Sequence, residues 1–322
     1  MSRSKTRPRK IVAWIFVFLG LALILTAFIV SGFNIYAFTT VRYQTNTYEI
    51  SDDFSAVNIV ETSNLIAVYP SEDGVCRIHC DESKTIFNKV SVQNGTLTVT
   101  RHDERPWYEK LVTVSFDSPK TTLYLPLKEY TALFLTTTSG NIKIGGELTV
   151  STAELYTTSG DITVTADTVR TLTARSTSGR IKLSELDASA VSAASTSGKV
   201  DLSDIKADTV RTSTTSGDVR ITDVTAKNLK AASTSGKLDL TDVVTENTIE
   251  LETTSGKVSL RRVDSWFVSI ESTSGKVTGS LLSEKQFDVR SDTGDVTYPA
   301  SLGGGTCKIQ TGSGDVRLEL AD

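Results

Sequence analysis

The sequence predicts an all-β protein, a parallel β-solenoid of about ten coils of 19–20 residues preceded by one transmembrane helix. Three observations predict it. A Thr-Ser-Gly tripeptide, or a close variant, recurs with its glycine at 140, 160, 179, 198, 217, 236, 256, 275, 294 and 314. Apolar residues alternate with polar ones on both sides of each glycine, the period of a strand and not of a helix. Near the start, Ile11 to Val30 is twenty residues without a charge.

The chain start comes first. Residues 1–10 carry Arg3, Lys5, Arg7, Arg9 and Lys10 and no acid. As a helix, twenty residues reach about 30 Å, the thickness of a bilayer's hydrocarbon core. A cleaved signal peptide shares the basic start, but its apolar core usually runs about 7–15 residues. Val30-Ser31-Gly32 is the least poor cleavage site. The expectation is therefore an uncleaved, single-pass anchor. The basic residues before the span, against Arg42 alone closely after it, place the N-terminus in the cytoplasm and the rest outside at the cell membrane. The expected organisation is a basic tail at 1–10, an anchor at 11–33, a linker at 34–49, an irregular β-rich cap at 50–130 and solenoid repeats at 131–322.

In the cap region, Phe54–Val60, Leu65–Tyr69, Val75–Cys80, Leu97–Thr100, Leu111–Phe116 and Leu123–Leu125 read as strands. Asn94-Gly95 between two alternating runs is a hairpin turn signal. Repeat arrays need an atypical unit to cover the open core, and this region suits that role.

In the repeats, the positions two and four after the glycine are apolar, as in Ile181/Leu183, Val200/Leu202 and Val219/Ile221. Those seven and five before it are also inward, as in Leu133/Leu135 and Val268/Ile270. The third position before glycine is Ser or Thr throughout, from Thr137 to Thr311. It faces inward, where its hydroxyl is expected to bond to its copy in the next coil. The glycine suits a corner that needs positive φ or crowds two backbones. A second corner, Ser203-Asp204, Thr222-Asp223 or Thr241-Asp242, is expected to be closed by its short polar side chains. An apolar residue such as Ile205 or Val224 then begins a brief third side. Parallel crossovers are right-handed as a rule, and so is the expected solenoid.

An N-terminal span, the strand-rich start Phe54-Ser55-Ala56-Val57, then Leu123-Tyr-Leu-Pro126, Tyr130, Leu133 and Leu135, and serial Thr-Ser-Gly-(Asp/Lys)-(Ile/Val) form a distinctive set. In these features residues 50–322 resemble the bacterial "putative adhesin" family, strand-repeat domains of unknown function tethered to Gram-positive membranes. The resemblance implies a β-solenoid at the cell envelope, in some members linked to envelope stress. It implies no catalytic residues.

The residues themselves offer little chemistry. There are two histidines and three cysteines. Neither histidine joins a cluster with metal-ligand spacing, so no metal or other cofactor is expected. Cys76 and Cys80 would lie about 13 Å apart along a strand, too far to pair with each other. Serine is abundant because corners use it, and no catalytic triad can be matched. The regular spacing leaves no room for the long loops under which solenoid enzymes place acids and bases, so an enzyme is not expected. A polysaccharide-active enzyme is one alternative. The other is end-to-end self-assembly, because Val316–Leu320 has no obvious cap and an open end behaves as a sheet edge.

Charge suggests a partner. Without the five N-terminal cations, 29 basic residues stand against 38 acidic ones, which argues against nucleic acid. On that acidic body Lys237, Lys257 and Lys276 follow the glycines of three successive repeats and should stack in one exposed column. Arg261 and Arg262 replace the usual Ser/Thr-Asp corner in the middle repeat, and Trp266 and Phe267 follow. The expectation is a dock for an anionic cell-envelope polymer or phospholipid headgroup, or another envelope protein, with Trp266 or Phe267 as a stacking or insertion partner. Otherwise Asp239 and Glu252 neutralise the patch. Two other features stand out. Eight threonines from Thr138 to Thr273 form an outward column, and Arg101–Lys110 is a charged, aromatic loop.

Overall fold

A computed structural model describes residues 8–30, 41–107, 118–166, 168–301 and 303–321. Two compact units result, residues 1–43 with 104–118 and residues 44–103 with 119–322. In the first, Pro8–Val30 is an α-helix. Its side chains are described without a break only over residues 14–26. Among the described residues no helix is long and apolar enough to cross a membrane, so the expected anchor is not shown. Most of the basic tail, much of the linker, the expected strand Leu111–Phe116 and the end of the Arg101–Lys110 loop lie outside the described residues.

The second unit is an all-β parallel solenoid of about nine turns, against the ten coils expected. Coils pair residue for residue one repeat apart: Val200 faces Val219 and Val219 faces Leu238, in parallel. The expected inward positions are buried, including Ile181, Leu183, Val200, Leu202, Leu238, Leu240, Val268 and Ile270. Leu186, Ile205, Val224, Val243 and Val263 of the short third side are buried with them. Fully burying one such side chain stabilises by about 1.5–3 kcal/mol. That gain needs a neighbouring coil on each side, so the array holds together only through its stacking.

The glycine corner is a matter of crowding. None of the ten repeat glycines has positive φ. A Cβ on Gly160 would instead lie 1.7 Å from the Gly140 carbonyl oxygen, and one on Gly179 1.8 Å from that of Gly160. The inward hydroxyl does not bond to its copy, as the repeat suggested. It sits nearer the glycines: Thr157 Oγ1 accepts from the Gly160 N–H at 3.0 Å and donates to the Gly140 carbonyl at 3.1 Å. Ser176, Ser195, Thr214 and Ser233 repeat the arrangement. This ladder serves polar groups that the tight corner takes away from water.

Positive φ belongs to the other corner. Glu185, Asp204, Asp223, Asp242 and Arg262 all lie there, with φ between 52° and 57°. The aspartates are favoured because Asp tolerates the left-handed conformation. No hydrogen bond from their side chains to the turn backbone is found among the described residues, contrary to the expectation.

Both ends are threaded out of chain order. At the C-terminal end, Phe267–Ser272 pairs with Gly305–Thr311, which pairs in turn with Lys285–Ser291. The last chain segment is thus inserted beneath the segment that precedes it. Val316–Leu320 pairs along its length with Val277–Leu281 and over two residues with Val296–Thr297. The expectation of an uncapped C-terminal strand is therefore corrected: that strand lies in the penultimate layer. At the other end, Ala56–Val60 and Leu65–Pro70 form the layer directly under the coil of Glu129–Thr137 and Ile142–Gly145. Thr96–Asp103 and Lys120–Leu125 lie outside that layer. The antiparallel strands Ile86–Gln93 and Gln44–Ile50 form the margins. The Asn94-Gly95 turn has φ of 51° and 72°, as a hairpin of this type requires.

Candidate binding surfaces

Lys237, Lys257 and Lys276 do stack. Leu238 N donates to the Lys257 carbonyl and Val258 N to that of Lys276, each at 2.9 Å. The next residue in space is Asp315, since Val277 N donates to the Asp315 carbonyl. The end insertion thus closes the lysine run with an acid. Lys276 Nζ lies 3.4 Å from Asp315, and Lys237 Nζ lies 2.8 Å from Asp239. Lys257, between them, is exposed and has no ion pair among the described residues.

The two arginines separate. Arg261 is exposed opposite Thr241, on the same outward parity as Lys257, and also has no ion pair among the described residues. Arg262 occupies the left-handed corner, and its Nε bonds to Asp242 at 2.7 Å. Its charge extends and neutralises the aspartate column. Trp266 is 69 % exposed but lies beyond the short third side, at the start of the next face. Of the six predicted residues, Lys257, Arg261 and Lys276 share one outer face as free or weakly paired cations. Lys237 is partly neutralised, Arg262 is a corner residue and Trp266 belongs elsewhere.

Of a second surface the sequence shows only one wall, the threonine column. Where the strands before the Thr-Ser-Gly corner meet the threonine column, an open groove of about 650 Å³ crosses the last coils. In spatial order its floor is Ala232, Glu252, Glu271, Gln310 and Arg290, as the pairing of their strands requires. The wall is formed by Thr234, Thr254 and Thr273, then Gly312, which leaves a gap, and Asp292. Lys230 pairs with Glu252, and Arg290 with Asp288. The side chains of Glu271, Gln310 and Asp292 have no partner among the described residues. Only the spatial order of the coils brings Glu271, Gln310 and Arg290 side by side.

Polar groups inside the body are structural. In the N-terminal cap, buried Glu61 accepts from Thr121 at 2.5 Å and from Asn88 at 2.8 Å, and Arg101 lies 3.6 Å away. Burial pushes its carboxyl up, against those hydrogen bonds and the arginine. Cys76, Cys80 and Cys307 are free and buried. Burial raises their thiols, to about 11 for Cys76 and about 12 for the other two, so they are poor nucleophiles. Among the described residues no His/Cys/Asp/Glu group could hold a metal ion.

These features define a capped parallel β-solenoid with polar outer faces. The chain belongs to the Toastrack DUF4097 family, whose model matches residues 54–223 and 189–322. Among solved structures, a "putative adhesin" from Parabacteroides merdae is similar at 13% identity, covering 87% of this chain and 98% of that one with a TM-score of 0.51. Another, from Bacteroides fragilis, is 16% identical over 87% and 98% of the two chains, with a TM-score of 0.47. A "putative lipid binding protein" from Parabacteroides distasonis is 16% identical over the same shares, with a TM-score of 0.46. At 13% identity the likeness to the Parabacteroides merdae structure speaks for the fold alone. No curated protein matches the chain.

Proposed function

We propose that the protein is a non-catalytic surface protein of the bacterial cell envelope. Residues 11–33 anchor it in the cell membrane, and the solenoid stands outside the cytoplasm, where it docks an anionic envelope polymer. The anchor rests on the twenty uncharged residues from Ile11 to Val30 and on the basic residues before them. The observation that carries the docking is the pair Lys257 and Arg261. Among the described residues they are exposed and without an ion pair on one face, beside Lys276, on a body where acids outnumber bases. A polyanion gains there by displacing counterions and meets no carboxylate already bound to those two cations. The name "putative adhesin" of the similar Parabacteroides merdae protein agrees with a surface role, and the envelope-stress link belongs to the same proposal.

The test is binding of purified anionic cell-wall polymer to the solenoid. Replacing Lys257 and Arg261 together by Glu should abolish binding that the parent shows at low salt, and Trp266→Ala should leave it unchanged. Equal binding by the Glu variant would remove this face from the proposal.

A further inference from the structure

The groove behind the threonine column is a second site, distinct from the cationic face. Three properties restrict what it accepts. Its lining is hydroxyl, carboxylate, amide and guanidinium, with only Ala232 and Gly312 lacking a polar side chain, so a lipid tail would strand polar groups. Its charged lining residues are Glu252, Glu271 and Asp292 against Arg290, so a polyanion is repelled. Its contacts repeat at the coil spacing of about 4.8 Å along a straight line, which suits an extended chain laid along the stack.

We propose that this groove binds a straight, uncharged glycan. Glu271 and Asp292 offer unpaired acceptors, Thr254 and Thr273 offer hydroxyls, and Gln310 presents both an acceptor and a donor. A ligand that meets all of them carries groups that donate and accept at once, as sugar hydroxyls do. A cationic peptide would satisfy the carboxylates but would bring its own positive charge against Arg290. Gly312 presents no side chain beside Gln310, at the layer contributed by the inserted C-terminal segment. The site therefore exists only once that segment is in place.

Titration of the solenoid with cellohexaose and with chitohexaose tests the proposal. At least one should bind, with an affinity that hardly changes between low and high salt. Glu271→Ala and Gln310→Ala should each weaken it about tenfold, the scale of one hydrogen bond. Both positions are exposed, and an unchanged melting temperature would show that each variant is folded. The double Glu variant at Lys257 and Arg261 should bind the hexasaccharide normally, which separates this site from the cationic face. The proposal is overturned if neither hexasaccharide binds at millimolar concentration or if the two alanine variants bind as the parent does. Salt-sensitive binding of oligolysine, lost in Glu271→Ala, would assign the groove to cationic peptides instead.

Discussion

Lys285 Nζ lies 2.6 Å from Asp264 Oδ1, although their strands are separated by an intervening layer. The lysine belongs to the outermost C-terminal segment and is buried, at 2 % side-chain exposure. Gly305 of the inserted layer lies directly opposite it. A Cβ at Gly305 would come within 2.0 Å of the Trp266 carbonyl oxygen. Ser283 also bonds to both partners. The pair thus ties the outer layer to the coil two layers in.

Lys285→Met should destabilise the solenoid by about 2–4 kcal/mol in denaturant unfolding near neutral pH. Breaking a buried pair leaves a partly buried carboxylate, and Asp264 keeps some solvent contact, so the upper end of the usual range is not reached. A loss within 0.5 kcal/mol would show that the pair has no role in holding the end.

The same pair sets a pH dependence. Burial pushes the Asp264 carboxyl up, but the Lys285 ammonium and the Ser283 hydroxyl outweigh it and hold it below the ordinary value. A carboxyl depressed on folding stabilises above its unfolded value of about 3.9 and loses that contribution as pH falls through its folded value. The parent should therefore lose stability below about pH 4 more steeply than Asp264→Asn does. Parallel acid titrations of the two proteins check this.

At the glycine corner, Gly198→Ala should cost about 2–4 kcal/mol, because its Cβ would meet the Gly179 carbonyl oxygen at 1.8 Å. Gly303→Ala meets only the Glu284 side chain at 3.1 Å and should stay within about 0.5 kcal/mol of the parent. At the other corner, Asp223→Gly should be nearly neutral and Asp223→Val should cost about 1–2 kcal/mol, as φ is +52° there. Thermal melts of the four variants give the comparison.

Excising Lys199–Gly217 removes one whole coil, and the coils on either side carry matching residues, since Ile181 and Val219 both pair with the excised Val200. That deletion should leave a folded, shorter solenoid, since each coil contacts mainly its neighbours. Removing nine residues from the same place puts outward positions into the core and should unfold much of the array. Similar melting of the two deletions by circular dichroism would contradict the stacked-coil account.

Much of this architecture was legible in the sequence. The glycine spacing, the inward pairs such as Val200/Leu202 and the short side at Ile205 all report a local pattern repeated in register. The corners were legible only as corners. Which one needed positive φ turned on how closely the Gly140 and Gly160 backbones approach, and that distance is not written in residue types. The order of the end layers was hidden because 285–297 and 305–320 both carry the repeat signature. Consecutive stacking was the natural reading of them. The insertion depends on Gly305, Lys285 and Asp264, far apart in sequence and unremarkable singly. The same insertion puts Asp315 beside Lys276 and Gln310 between Glu271 and Arg290, so it also altered the expected cationic column and created the groove. Arg262 read as a binding residue because its charge broke the Ser/Thr-Asp pattern. Its partner Asp242 lies one coil below.

The proposed topology puts the solenoid outside the membrane, where its surfaces can meet envelope polymers. Protease added to intact cells tests it most directly. The solenoid should be removed while a fragment holding the span and the basic tail is spared. A solenoid that survives until the cells are lysed would contradict it.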